Sequence, residues 1–217
     1  DRVLFPMPVQ SGDMLDDHAT VTGAVAGLAE VTLRVWRPAE EDGQVWLARE
    51  ETVPAVDGYL KVDLWDLAPG TWYRYGFFAG DGDEFTARSV LGWFRTALHE
   101  DCLEPITVAG THGTNTEHQP FTALELTASF YIDVFVQLGD YSYNDGAESL
   151  DEFRAKWNET LDDSGYWSLL PSVGQYIVWD DHEFRDNSSY YSTQDSEDFD
   201  NALDAFFERH PAPRFDN

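Results

Sequence analysis

The stretch that most limits the fold is Ile177-Val178-Trp179-Asp180-Asp181-His182-Glu183-Phe184-Arg185-Asp186-Asn187, where an apolar, β-prone run empties directly into acids and a histidine. A strand that buries Ile177, Val178 and Trp179 carries Asp180, Asp181 and His182 to its carboxyl end, which is where open α/β sheets bind ligands. Ile132 to Leu138 repeats the design upstream, and Gly139-Asp140-Tyr141-Ser142-Tyr143 follows it at once. Glycine at 139 permits a sharp turn that brings the Asp140 carboxylate to the strand tip. Two carboxylate tips sharing one crevice repel each other unless a cation or a proton lies between them.

The rest of the chain divides around these strands. Residues 1 to about 98 alternate short apolar runs with turn signals, the pattern of an all-β sandwich. Val31 to Trp36, Gln44 to Ala48, Tyr59 to Leu64 and Trp72 to Phe78 read as strands, and Asp42-Gly43, Asp57-Gly58, Pro69-Gly70 and Asp81-Gly82 punctuate them. Leu67-Ala68-Pro69-Gly70-Thr71-Trp72-Tyr73-Arg74-Tyr75 resembles the tyrosine corner of fibronectin type III sandwiches, in which a hydroxyl ties back to upstream backbone. Charge and a proline at His99 to Pro105 suit a linker. Beyond it, strands at 106–109, 132–138 and 174–179 alternate with helices at 120–129 and 149–161, which argues for βαβ units and an α/β sheet. A last helix is expected over 195–209, with Phe199, Leu203, Phe206 and Phe207 at helical spacing. The fold class is therefore mixed: residues 1–98 form a fibronectin-like β-sandwich, and 105–217 form part of an α/β layer.

Charge excludes one large class of partner. Forty-one Asp and Glu stand against 13 Lys and Arg, a formal net charge of -28, and such a surface repels phosphate backbones and anionic membranes. No nucleic acid is expected to bind stably; a saline medium would suit such a surface. With 42% hydrophobic and 15% aromatic residues the chain is too rich in core formers to be disordered. Cys102 is the single cysteine, so no disulfide forms within the chain, and no apolar run approaches a membrane span. The chain begins at Asp1 without a methionine, and an exported protein whose signal has been removed is the expectation.

The chemistry these residues suit is metal-assisted hydrolysis of a phosphate ester, which needs charge neutralised on the phosphate and hydroxide made available near neutral pH. Asp140 has two oxygens with which to bridge two cations; Asp181, with Asp180 and Asn187, offers further oxygen ligands, and a deprotonated Tyr143 suits a ferric ion. Tyr143 serves equally as a core aromatic. His182 is either the general acid to the leaving group or a holder of the phosphate. Arg185 is a candidate substrate contact, or else an ion-pair partner of Asp186 or Glu183. The loop Ser188-Ser189-Tyr190-Tyr191 is a candidate pocket wall.

At this point a resemblance becomes specific. The sandwich and its corner, Gly92-Trp93-Phe94-Arg95-Thr96, Gly139-Asp140-x-x-Tyr143 and Trp179-Asp180-Asp181-His182-Glu183-x-x-Asp186-Asn187, in that order, resemble the alkaline phosphatase D (PhoD-like) family over nearly the whole chain. The resemblance implies a fibronectin-like domain followed by a calcineurin-like metallophosphatase domain. It further implies Asp140, Tyr143 and Asp181 as metal ligands, His182 as the catalytic acid, iron with calcium as cofactors, and phosphomonoester or phosphodiester substrates. Two departures stand out. Gly110-Thr111 replaces the Ser-Cys after the first strand of the catalytic domain, which leaves His112 as the substitute iron ligand or as an exposed loop residue. The C-terminal half of that domain, with its late ligands, is not among the 217 residues, so a further segment or a second chain would complete the site. The alternative class is a non-catalytic exported module whose phosphatase-like lobe binds calcium or a partner protein.

Overall fold

The computed structural model describes residues 1–38, 45–81, 84–189 and 196–214. The turn at Asp42-Gly43, the Gly82 half of the Asp81-Gly82 turn and the wall at Tyr190-Tyr191 lie outside the described residues.

Among the described residues, eight strands come from the first hundred. β3 (Glu30–Pro38), β4 (Val45–Pro54), β6 (Trp72–Asp81) and β7 (Glu84–Arg88) form a sheet in the order β4-β3-β6-β7, with β8 (Gly92–Arg95) also paired to β6. β1 (Gln10–Gly12), β2 (Ala19–Ala24) and β5 (Tyr59–Leu64) lie in the other sheet. Leu33, Val35, Tyr75, Phe77 and Phe94 from one sheet bury against Val21, Leu60 and Leu64 from the other, which is the core of a β-sandwich. The corner takes the expected form: the Tyr73 hydroxyl accepts from the Ala68 amide at 2.8 Å.

The second sheet does not stop with the sandwich. Its six strands run β5-β2-β1-β11-β10-β9, where β9 (Val108–Thr111), β10 (Val134–Gln137) and β11 (Gln175–Ile177) are parallel to one another and β11 is parallel to β1. Gly12 is the reason the join closes: a Cβ there would lie 2.6 Å from the Pro211 carbonyl oxygen and 2.7 Å from that of Gln175. The polar groups brought in are paired across the join. Gln10 Oε1 accepts from Gln175 Nε2 at 2.7 Å and from His210 Nδ1 at 2.9 Å, while the Arg209 carbonyl accepts from Gln10 and Thr22.

Among the described residues, four α-helices cover one face of β9, β10 and β11: α1 (Thr122–Thr127), α2 (Leu150–Leu161), α3 (Ser164–Leu169) and α4 (Glu197–Phe207). Phe135 from the sheet packs with Phe153, Trp157, Tyr166, Phe199 and Phe206. In α4 the buried positions are Phe199, Ala202, Ala205 and Phe206; Leu203 and Phe207, which the spacing placed on the same stripe, are only partly buried. Ser149 starts α2 with a capping box shared with Glu152. Lys61 of β5 ends α4, donating to the carbonyls of Phe207, His210 and Ala212 at 3.0, 3.1 and 2.7 Å, so a sandwich strand caps a helix of the α/β layer. On the opposite face Val108, Leu138 and Val178 are 55%, 53% and 52% exposed, and β9 is the last strand among the described residues. No helix among the described residues is long and apolar enough to cross a membrane.

Candidate metal centre

Parallel order decides where the side chains meet. β11, β10 and β9 are neighbours and run the same way, so their carboxyl ends share one edge of the sheet. His112 follows β9, Asp140 follows β10 by three residues and Asp180 follows β11 by three. β9 ends at Thr111, two residues beyond the expected 106–109 strand, which places His112 directly at its tip.

The turn after β10 uses unusual backbone. Gly139 has φ 96° and Asp140 φ 49°, the second a left-handed conformation that costs a non-glycine residue energy. A Cβ on Gly139 would stand 2.7 Å from the Asp180 Cβ, so the two tips approach this closely only because the side chain is absent. Glu183, fully buried, locks them together: its carboxylate accepts from the amide of Tyr141 and, at 2.9 Å, from that of Asp180. Asn144 adds a second tie, its amide to the His182 carbonyl at 2.9 Å and its side chain to the Glu183 carbonyl at 2.8 Å. Burial raises the pKa of the Glu183 carboxyl, although the two amides it accepts from oppose the rise.

Asp140 is 8% exposed and joins two groups of ligand atoms, each within 4.8 Å: His112, Asp140 and Asp180, and Asp140, Asp181 and His182. His112 Nε2 lies 3.8 Å from Asp140 Oδ2 and 3.6 Å from Asp180 Oδ2. The Tyr143 hydroxyl donates to Asp140 Oδ2 at 3.3 Å, and Asp140 Oδ1 is buried without a hydrogen-bond partner. A buried, unpartnered carboxylate oxygen amid further acids suits a bound cation, because nothing in the protein offsets its lost hydration. Burial and then the Asp140 charge hold the Tyr143 pKa above its ordinary value.

The loop that carries His182 folds back on itself. His182 Nδ1 is 2.7 Å from Asp145 Oδ2, and its ring lies against that of Tyr143 with centroids 4.1 Å apart. Partial burial pulls the His182 pKa down, but the Asp145 hydrogen bond and the charges of Asp145, Asp140 and Asp181 outweigh it and leave the value raised. Asn187, at φ 55°, gives its backbone amide to Asp181 and turns its side chain to Asp186 at 2.8 Å. Arg185 pairs with Asp198 in the first turn of α4 at 2.7 Å, rather than with Asp186 or Glu183. Cys102 is exposed and belongs to neither group. The sequence pattern did not single out Asp145 or the buried clamp of Glu183; the signal for Glu183 was its place directly after His182, where a solvated acid was equally compatible.

A family model described as PhoD-like phosphatase matches residues 107–217, just over half of the chain. Among solved structures, one described as PhoD superposes with a TM-score of 0.82 at 22% identity, covering 96% of this chain and 46% of that one. A purple acid phosphatase from yellow lupin (Lupinus luteus) seeds superposes with a TM-score of 0.60 at 16% identity, covering 97% and 42%. At these identities the two structures speak for the fold, and the chain spans less than half the length of either. No curated protein sequence matches.

Proposed function

This chain belongs to the PhoD-like phosphatase family, and from that premise we propose that it is a metal-dependent phosphate-ester hydrolase whose reacting centre is the crevice between the tips of β9, β10 and β11. The observation that carries the reading is Asp140, a buried carboxylate with one oxygen unpartnered at the junction of two acidic groups. His112, Asp140 and Asp180 would hold one cation, and Asp140 with Asp181 a second, with Tyr143 and Asn187 as further donors. Bound there, cations would neutralise phosphate oxygens and lower the pKa of water. Iron and calcium are the ions we assign, since carboxylate, phenol and imidazole donors suit them.

Within the chain, His182 acts as general acid to the leaving oxygen, an assignment supported by its raised pKa and by its place beside Asp140 and Asp181. Arg185 meets the phosphate if it exchanges Asp198 for it. Phosphomonoesters and phosphodiesters are both within the proposed substrate class. The exposed apolar face of Val108, Leu138 and Val178 supports a further segment or a second chain packing beside the site.

Metal analysis of the purified chain beside Asp140→Asn is the first test. Stoichiometric cation that the variant loses supports the hydrolase site; a folded chain that takes up none in either form points to the non-catalytic module. Turnover of an aryl phosphate, with and without added cation and with His182→Ala, separates catalysis from binding.

A further inference from the structure

At the other end of the parallel strands, away from the acids, we propose a second ligand site: an aromatic groove that takes the quaternary ammonium group of a small soluble cation. It depends neither on the metal centre nor on the hydrolase reading. Ile132 precedes β10 and Val173 precedes β11 by two residues each, whereas the acids follow the same strands, so groove and metal centre occupy opposite edges of the sheet. Trp72 of β6, Trp93 of β8, and Phe130 and Tyr131 from the segment between α1 and β10 wall a groove of about 380 Å³ over the buried Ile132 and Val173. Phe130 and Tyr131 are largely exposed, and a contiguous apolar patch of this kind marks a place of binding.

The lining decides the class of ligand. Among the described residues none that lines the groove is charged, in a chain of which 25% is charged. An anion therefore finds no partner there, and the net charge of -28 repels it. A primary ammonium brings three donors and meets no carboxylate. The two hydroxyls of the lining are already engaged: Tyr131 accepts from Trp72 Nε1 at 2.9 Å, and Ser172 donates to the Leu169 carbonyl at 2.7 Å. A quaternary ammonium has no N–H to satisfy and is held by ring faces alone. The Trp72 and Tyr131 rings stand at 57° with centroids 5.6 Å apart, two walls at an angle rather than a flat stack. One cation already uses these rings, since the Arg74 guanidinium, outside the lining, sits 5.1 Å from the centre of the Trp93 ring. Its single charge is small beside the excess of acids, 41 against 13 bases, which draws cations toward the surface at low ionic strength.

Calorimetric titration of the whole chain with choline, and with its near-isosteric neutral counterpart 3,3-dimethylbutan-1-ol, separates charge from apolar contact. Choline should bind about 5- to 30-fold more tightly than the alcohol, and more tightly than ethanolamine; added salt should weaken choline but not the alcohol. Phe130→Leu and Tyr131→Leu, which keep apolar surface and remove a ring, should each lower choline affinity about two- to fivefold and leave the alcohol unchanged. Melting curves show whether each variant is folded, and if one is not, the other and the ratio of choline to alcohol in the unaltered chain still decide. Asp140→Asn, which alters the metal centre, should leave choline binding as it is. Equal affinity for choline and the alcohol, ethanolamine bound as tightly as choline, no binding at all, or choline binding lost in Asp140→Asn overturns the proposal. Self-association of the chain that either leucine variant disrupts also overturns it, because the groove is then an interface between copies. Cosedimentation with phosphatidylcholine vesicles that excess free choline does not reverse does the same, in favour of a membrane surface.

Discussion

The corner at Leu67 to Thr71 and the loops at the strand tips are both tied down by side chains bonded to backbone, yet they differ in what they leave over. At the corner the ties are neutral: the Tyr73 hydroxyl accepts from Ala68, and Thr96 Oγ1 donates to the Ala68 carbonyl at 2.7 Å and accepts from the Thr71 amide at 2.9 Å. At the tips the ties are carboxylates, with Glu183 on Tyr141 and Asp180, Asp145 on Asp186 and Asp181 on Asn187. Asp140 keeps one buried oxygen with no partner at all. The corner closes on itself and contributes stability. The tips gather negative charge and leave one buried carboxylate oxygen without a partner, and that difference is what the proposed cation site rests on.

The sharpest way to break this contrast is to remove the clamp. Glu183→Ala strands two buried amides and should cost about 3 kcal/mol in urea unfolding; a loss under about 1 kcal/mol would show that the tips hold together without it. Next in size, Asp140→Asn should weaken cation binding about 100-fold by calorimetry and, in chelator, leave the melting temperature unchanged or higher, because a repelling charge has gone. A lower melting temperature in chelator would make Asp140 a structural tie like those of the corner.

His210 lies at the join of the sandwich sheet with the parallel strands, bonded to Gln10 of β1 and with its ring 5.1 Å from that of Tyr141. Burial, and then the charges of Arg209 and Lys61, push its pKa well below the ordinary 6.5. The unfolded chain takes a proton near 6.5 and the folded one does not, so stability is fully present above that pH and is lost as pH falls below it, by up to about 1.4 kcal/mol per unit. His210→Gln should flatten the fall between neutral pH and pH 5 in urea titrations; identical slopes would place the acid sensitivity at the tips instead. The smallest effect belongs to the corner: Tyr73→Phe should cost about 1 kcal/mol, and the same amount with or without added cation. A cost that changes with cation would couple the corner to the site.

Much of this was legible in the residues. The apolar runs at 59–64 and 72–78 became β5 and β6, the 149–161 helix became α2, and the residues after Leu138 and Trp179 do converge. β1 was not legible, since Gln10-Ser11-Gly12 has neither length nor apolar alternation and is a strand only because β2 and β11 flank it. The roles of Asp145, Glu183 and Lys61 were hidden for a related reason: each bonds a backbone or ring at least 37 residues away in sequence, and an acid or lysine beside a loop looks the same whether it faces water or a distant amide.

From sequence alone came what depends on near neighbours: which runs extend, where Gly139 lets the chain turn, and that acids crowd after two strands. The tertiary structure decided which acids come together. Three strands hydrogen-bonded in parallel must end at one edge, and that alignment sets His112, Asp140 and Asp180 side by side although 68 residues separate the first from the last.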